Sequence, residues 1–187
     1  GLFNIGGEGQ AYVAGLGVIL GALALNGMPW VITVPVMIVA GALMGALWGF
    51  IPGYLQAKRG SHVVITTILF NFIAVSLMGY LISRVLKPAG VDNDESAPIQ
   101  AVSRVPQLKE FIPYLTHSPV NITFIIAIVL LVVVYWLVWR TKFGYALRAL
   151  GHSPTAANYA GISNEKMIMI VMAMCGAIAA MVAVNNV

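Results

Sequence analysis

Apolar runs of about twenty residues recur along the whole of this 187-residue chain, and that is the length an α-helix needs to cross the hydrocarbon core of a bilayer. Five such segments stand out, at about 6–26, 30–51, 63–86, 121–139 and 166–187. Inside lipid each backbone polar group must find its partner within its own segment, so these runs predict helices and an all-α, polytopic membrane fold. Hydrophobic residues make up 60% of the chain and charged residues 9%, against roughly a quarter charged in an average soluble domain, too few to coat a water-soluble globule. The mean hydropathy of +0.91 agrees. Repetition of the runs excludes a single signal peptide or one buried helix. The sequence opens at Gly1 without Met and stops at Val187 inside an apolar run, so we expect one transmembrane domain over residues 1–187 of a longer chain.

The formal charge of +4 would suggest nucleic acid only if the basic residues formed a patch, and they do not. Lys58, Arg59, Arg140, Lys142 and Arg148 sit beside the ends of apolar runs, where membrane proteins concentrate cytoplasmic positive charge. The loop at Lys58 and Arg59 and the stretch from Arg140 to Lys166 are separated by two spans, so both can be cytoplasmic. Residues 87–119, with Asp92, Asp94, Glu95, Arg104, Lys109, Glu110 and five prolines, then form an extracytoplasmic loop. Trp30, Tyr54, Tyr80, Trp136 and Trp139 fall near the expected interfaces, where amphipathic rings are favoured.

Gly41, Gly45, Gly49 and Gly53 strip one helix face of side chains, which suits a close helix–helix seam better than a pore lining, and Pro35 on the same helix predicts a kink. The segment Asn4-Ile5-Gly6-Gly7-Glu8-Gly9-Gln10 sets a carboxylate, two amides and three glycines against an apolar span. Such a stretch is either an interfacial loop or irregular backbone lining a polar path at membrane depth. Thr67 and Asn71, four residues apart on one helix face, either bond to neighbouring helices or line such a path, and structural bonding is the favoured reading.

Between Arg140 and Lys166, Phe143 to Leu150 can form a short helix ending at Gly151. Ser153 and Pro154 supply an N-cap and a first-turn proline for a second, and Gly161 supplies its stop. Ser163 can cap the next span. Two short helices outside the membrane, presenting Tyr145 and Arg148, read as a docking surface. No catalytic or metal set is expected: His62, His117 and His152 are far apart, Glu8 has no partner carboxylate, and Cys175 reads as a small packing residue. With no phosphate-binding glycine-rich motif, the chain itself should bind no ATP.

The stretch Phe143-Gly144-Tyr145-Ala146-Leu147-Arg148-Ala149-Leu150-Gly151, continued by Ala156-Ala157-Asn158-Tyr159-Ala160-Gly161-Ile162, resembles the cytoplasmic coupling motif of ABC importer permeases for branched-chain amino acids, simple sugars and nucleosides. Phe3 to Gln10 and Val64 to Asn71 are similar to signatures of its sugar and nucleoside branch. The resemblance implies a permease subunit, without enzymatic activity or cofactor of its own, in the cell inner (cytoplasmic) membrane. It implies a second permease, identical or not, two ATPase subunits that bind and hydrolyse ATP, and an extracytoplasmic solute-binding protein. Asn4, Glu8, Gln10, Thr67 and Asn71 would then border the path. Gly144, Tyr145, Arg148, Gly151, Ala156, Ala157 and Gly161 would form the ATPase-coupling region, within residues 140–165. The expected solute is a nucleoside or simple sugar, with a branched-chain amino acid as alternative. An ion-coupled secondary transporter also has broken helices but needs no ATPase docking surface, and an assembly subunit needs no polar path.

Overall fold

A computed structural model describes residues 3–88, 90, 93, 96–110 and 120–187. Among them are seven α-helices: α1 (Gly7–Ala24), α2 (Trp30–Arg59), α3 (Val63–Leu81), α4 (Thr123–Arg140), α5 (Lys142–His152), α6 (Pro154–Tyr159) and α7 (Asn164–Val184). A π-helical turn, Ile82–Leu86, prolongs α3, and 3-10 turns at Ala101–Ser103 and Leu108–Glu110 lie between α3 and α4. Asp92, Asp94, Glu95 and His117 of the expected outer loop lie outside the described residues.

Four helices are long and apolar enough to cross a membrane: α2, α3 with its π turn, α4 and α7. The 18-residue α1 falls outside that set because Glu8 and Gln10 occupy its first turn, yet it packs among α2, α3 and α7. The second segment, expected to close near residue 51, continues as helix to Arg59. Nothing breaks it until Gly60, whose φ of 69° is a left-handed cap. Pro35 and Pro52 both lie within this continuous helix.

The centre of the bundle is the crossing of α2 with α7, flanked by α1. Lipid tails are as apolar as Leu, so helix association in a bilayer depends on close packing rather than on water exclusion. The glycine face supplies that closeness. Gly45 and Gly176 lie backbone to backbone, and a Cβ on either would run into the other's carbonyl. A Cβ on Gly41 would sit 2.6 Å from Val18, and one on Gly53 would sit 2.9 Å from the Met172 side chain. The seam is therefore a packing surface filled by α1 and α7.

The two ends of the bundle are built from different segments. At one end the Asn26 side chain binds the Pro98 carbonyl and the Gln100 N–H, Ser103 Oγ bridges Gly27 and Met28, and Asn121 donates to the Asn185 carbonyl. At the other end Lys58 closing α2 pairs with Glu165 opening α7, beside α5 and α6. α4 stands apart: Thr123 is its one buried residue, and Leu131 is 70% exposed, an apolar surface for lipid or further protein to cover.

Candidate functional site

The polar residues singled out before α1 and on α3 come together where α1 begins. A helix start leaves its first N–H groups without partners, and the side chain meeting them here comes from another helix. Asn71 of α3 accepts the N–H of Gly9 at 2.9 Å and donates to the Ile5 carbonyl at 3.0 Å. Asn4 accepts the N–H of Gly6 at 2.8 Å and donates to Gln10 at 3.2 Å, with the Cys175 thiol also within reach. Thr67 is fully buried and returns its hydroxyl proton to the Val63 and Val64 carbonyls of its own helix. Glycine is needed at Gly9, where a Cβ would lie 2.8 Å from Asn71, and a Cβ on Gly6 would crowd Thr67 at 3.1 Å. Asn4 and Asn71 thus spend their polar atoms on holding the segment, while Thr67 spends its hydroxyl within α3. Gln10, 2% exposed, keeps Nε2 without a partner among the described residues, against the Gly49 face of α2.

Glu8 behaves differently. It is exposed, makes no hydrogen bond or ion pair among the described residues, and lines a cleft of about 580 Å³ between α1, α3 and α7. Its neighbour Gly9 is bound to Asn71, eight residues past the start of α3, which places this carboxylate about 12 Å along the α3 axis from the basic end of the bundle. The cleft is otherwise mainly apolar, with Leu16, Ile19, Met78 and Ile82 in its walls and Ser96 and Asn186 at the far end. Tyr12, one turn beyond Glu8 on the same face, is a lining residue that the sequence reading missed. Its signal was the spacing of four from Glu8.

At the basic end, α6 forms as its caps predict. Ser153 Oγ accepts the N–H of Ala156 at 3.3 Å with Pro154 in the first turn. Gly161 closes α6 at φ 80°, and Ser163 caps α7 through the N–H of Lys166. Ala157 is buried with Leu150 and Met167, so the pair folds onto α7 as a unit. Gly144 is buried where α5 turns back on α4, and a Cβ there would strike the Leu137 and Val138 carbonyls.

Two coupling residues sit otherwise than expected. α5 runs through Gly151 to His152, and Gly151 needs no positive φ, because the turn comes one residue later at Ser153. Arg148 does not project outward. Its guanidinium donates to the Val138 carbonyl and lies 4.8 Å from the Trp139 ring centroid, clamping α5 to the end of α4. The side chains that do project are Tyr145, 64% exposed, and Tyr159, 90% exposed. Among the described residues no group of three or more His, Cys, Asp or Glu is placed to hold a metal.

Residues 1–187 match the family described as branched-chain amino acid transport system, permease component. The chain is 37% identical to the guanosine ABC transporter permease protein of Bacillus subtilis over 96% of its own length and 50% of the relative's. It is 33% identical to the nucleoside ABC transporter permease protein of Lactococcus lactis over the same shares. The glucose ABC transporter permease protein of Haloferax volcanii is 31% identical, over 97% of this chain and 48% of its own. The chain thus spans about half the length of the curated relatives it matches. No solved structure matches it significantly.

Proposed function

This chain belongs to the branched-chain amino acid transport system permease component family, and from that premise we propose that it is a membrane-spanning subunit of an ATP-driven importer, forming part of the path for a nucleoside or simple sugar. It is a multi-pass protein of the cell inner membrane, and its family is one of transport permeases rather than enzymes. The observation that carries the reading is Glu8: a carboxylate set about 12 Å in from the basic end of a bundle of apolar helices, without a partner among the described residues, facing a cleft. A charged group at a bilayer's centre costs about 2.5 to 3.5 kcal/mol on insertion scales, and a residue kept at that cost by default marks a solute path.

In this proposal Asn4, Gln10, Thr67 and Asn71 border the path by holding its irregular backbone, while Glu8 meets the solute. The α5–α6 pair, with Tyr145 and Tyr159 outward, docks onto a cytoplasmic ATPase that binds and hydrolyses ATP. A second permease subunit completes the path, and an extracytoplasmic binding protein delivers the solute at the end marked by Asn26 and Gln100. Rigid caps and the Arg148 clamp support this assignment, because a coupling element must transmit displacement without bending. The test is uptake of labelled nucleoside, hexose and leucine by the intact transporter, with and without its binding protein. The reading requires nucleoside or hexose uptake that depends on the binding protein. Leucine uptake alone would replace the solute class.

A further inference from the structure

The foot of α4 carries positive charge that no carboxylate among the described residues neutralises. We infer that the outward face of α4 and its elbow into α5 bind an anionic phospholipid, with the phosphate held by Arg140 and Lys142 and an acyl chain laid along α4. The surface is separate from the α1 cleft, and the inference stands whichever solute is carried.

The argument begins with the charges. No Asp or Glu occurs between Glu110 and Glu165, so α4, α5 and α6 bring Arg140, Lys142 and Arg148 together without one acidic residue of their own. Glu165, at the start of α7, is engaged by Lys58. Arg148 is turned inward onto the Val138 carbonyl and the Trp139 ring. Arg140 and Lys142 remain exposed and make no hydrogen bond or ion pair among the described residues. Lys142 also opens α5, where the helix dipole is positive and a cation is disfavoured. An anion at the elbow relieves that repulsion and pairs with both side chains. Thr141 between them holds the elbow in shape, since its hydroxyl donates to the Leu137 carbonyl and accepts the N–H of Gly144.

The apolar part of the surface leads to the same place. Val129, Val132, Trp136 and Arg140 follow one another at spacings of three and four, so they share one face of α4. The two valines and the tryptophan are each more than half exposed. From Val129 to Arg140 the stripe runs about 16 Å, close to the ~15 Å of hydrocarbon in one leaflet. Its chemistry changes in the order of a phospholipid, from aliphatic side chains to an indole at headgroup level and then to cations that donate to phosphate. A second copy of this chain seated here would bring like charges together. A zwitterionic lipid carries its own cation beside the phosphate and gains less from Arg140 and Lys142 than a lipid of net negative charge.

The test uses the complete transporter, purified in mild detergent and exposed to mixed micelles of phosphatidylglycerol and phosphatidylcholine in equal amounts, with bound lipid counted by native mass spectrometry. The parent should retain phosphatidylglycerol in preference to phosphatidylcholine. Arg140→Gln combined with Lys142→Gln should weaken that retention by on the order of tenfold, whereas Arg59→Gln, which removes a cation at the same end from α2, should leave it unchanged. A second measurement covers poor recovery of the double variant: the parent's unfolding temperature should rise with phosphatidylglycerol and not with phosphatidylcholine or inorganic phosphate. Equal retention of the two lipids by the parent, or an equal loss in Arg59→Gln, would reduce the site to diffuse surface charge and overturn the inference. Equal stabilisation by inorganic phosphate would make it a site for soluble anions. Loss of the ATPase subunits from the double variant with phosphatidylglycerol still bound would make the elbow a protein contact. Either result overturns the inference and leaves the importer reading, which rests on uptake, untouched.

Discussion

Asn71 accepts the backbone N–H of Gly9 across 62 residues of chain, at 2.9 Å. One amide from the interior of α3 thereby does for α1 what an N-cap residue does within its own helix. Replacing it with Leu would leave the Gly9 N–H and the Ile5 carbonyl unpartnered. Each such loss costs about 1–3 kcal/mol. Asn71→Leu should therefore lower the unfolding temperature of the detergent-solubilised transporter and reduce uptake together. An unchanged melting curve would mean that α1 is held by something else.

The contact of Gly45 with Gly176 makes the α2–α7 crossing intolerant of any side chain. Gly45→Val or Gly176→Val should force the helices apart and abolish accumulation of folded protein, since overpacking already costs ~1–3 kcal/mol where side chains rather than backbones must move. Gly79→Ala, which meets nothing within 4 Å, should accumulate normally. Size-exclusion profiles of the three variants check both halves.

Two glycines near the coupling helices should respond in opposite directions. Gly151 is helical with open space around it, so Gly151→Ala should leave stability unchanged or raise it by about 0.5–1 kcal/mol. Gly161 has φ 80°, where an L side chain is strained, so Gly161→Ala should lower stability by about 1–2 kcal/mol. Thermal unfolding of the purified variants gives the comparison, and a loss at position 151 equal to that at 161 would contradict the turn geometry.

Much of this was legible in the sequence where the cause is local. A bilayer imposes its thickness on each span, and caps act within one turn, so Ser153, Pro154, Gly161 and Ser163 announced α6 and the start of α7 before any coordinates. The span rule also misled: it closed α2 near residue 51, whereas a helix leaving the bilayer continues until Gly60 stops it. Non-local partners were not legible. Asn4, Gln10, Thr67 and Asn71 stood out as polar residues in apolar surroundings, but that Asn4 binds Gln10 and that Asn71 binds the backbone of Ile5 and Gly9 depends on how α1 meets α3. Arg148 read as an outward charge because nothing in its neighbours in sequence reveals that α5 turns back onto Trp139.

Sidedness is checked by labelling in whole cells with a membrane-impermeant maleimide, with Cys175→Ala as background. Asn93→Cys should label and Ser153→Cys should not, because Lys and Arg concentrate on the cytoplasmic side of membrane proteins and Lys58, Arg59, Arg140 and Lys142 lie at the end that holds Ser153. The reverse pattern would invert the assignment of α5 and α6 and remove them from any contact with a cytoplasmic ATPase.

The most direct measurement is uptake of labelled adenosine into proteoliposomes holding the complete transporter, with ATP supplied on the ATPase side and ion gradients collapsed by ionophores. Uptake that requires ATP, survives the ionophores and falls on Glu8→Gln is the predicted result. Uptake that proceeds without ATP and stops when the gradients collapse would contradict it, and would make this chain part of an ion-coupled carrier.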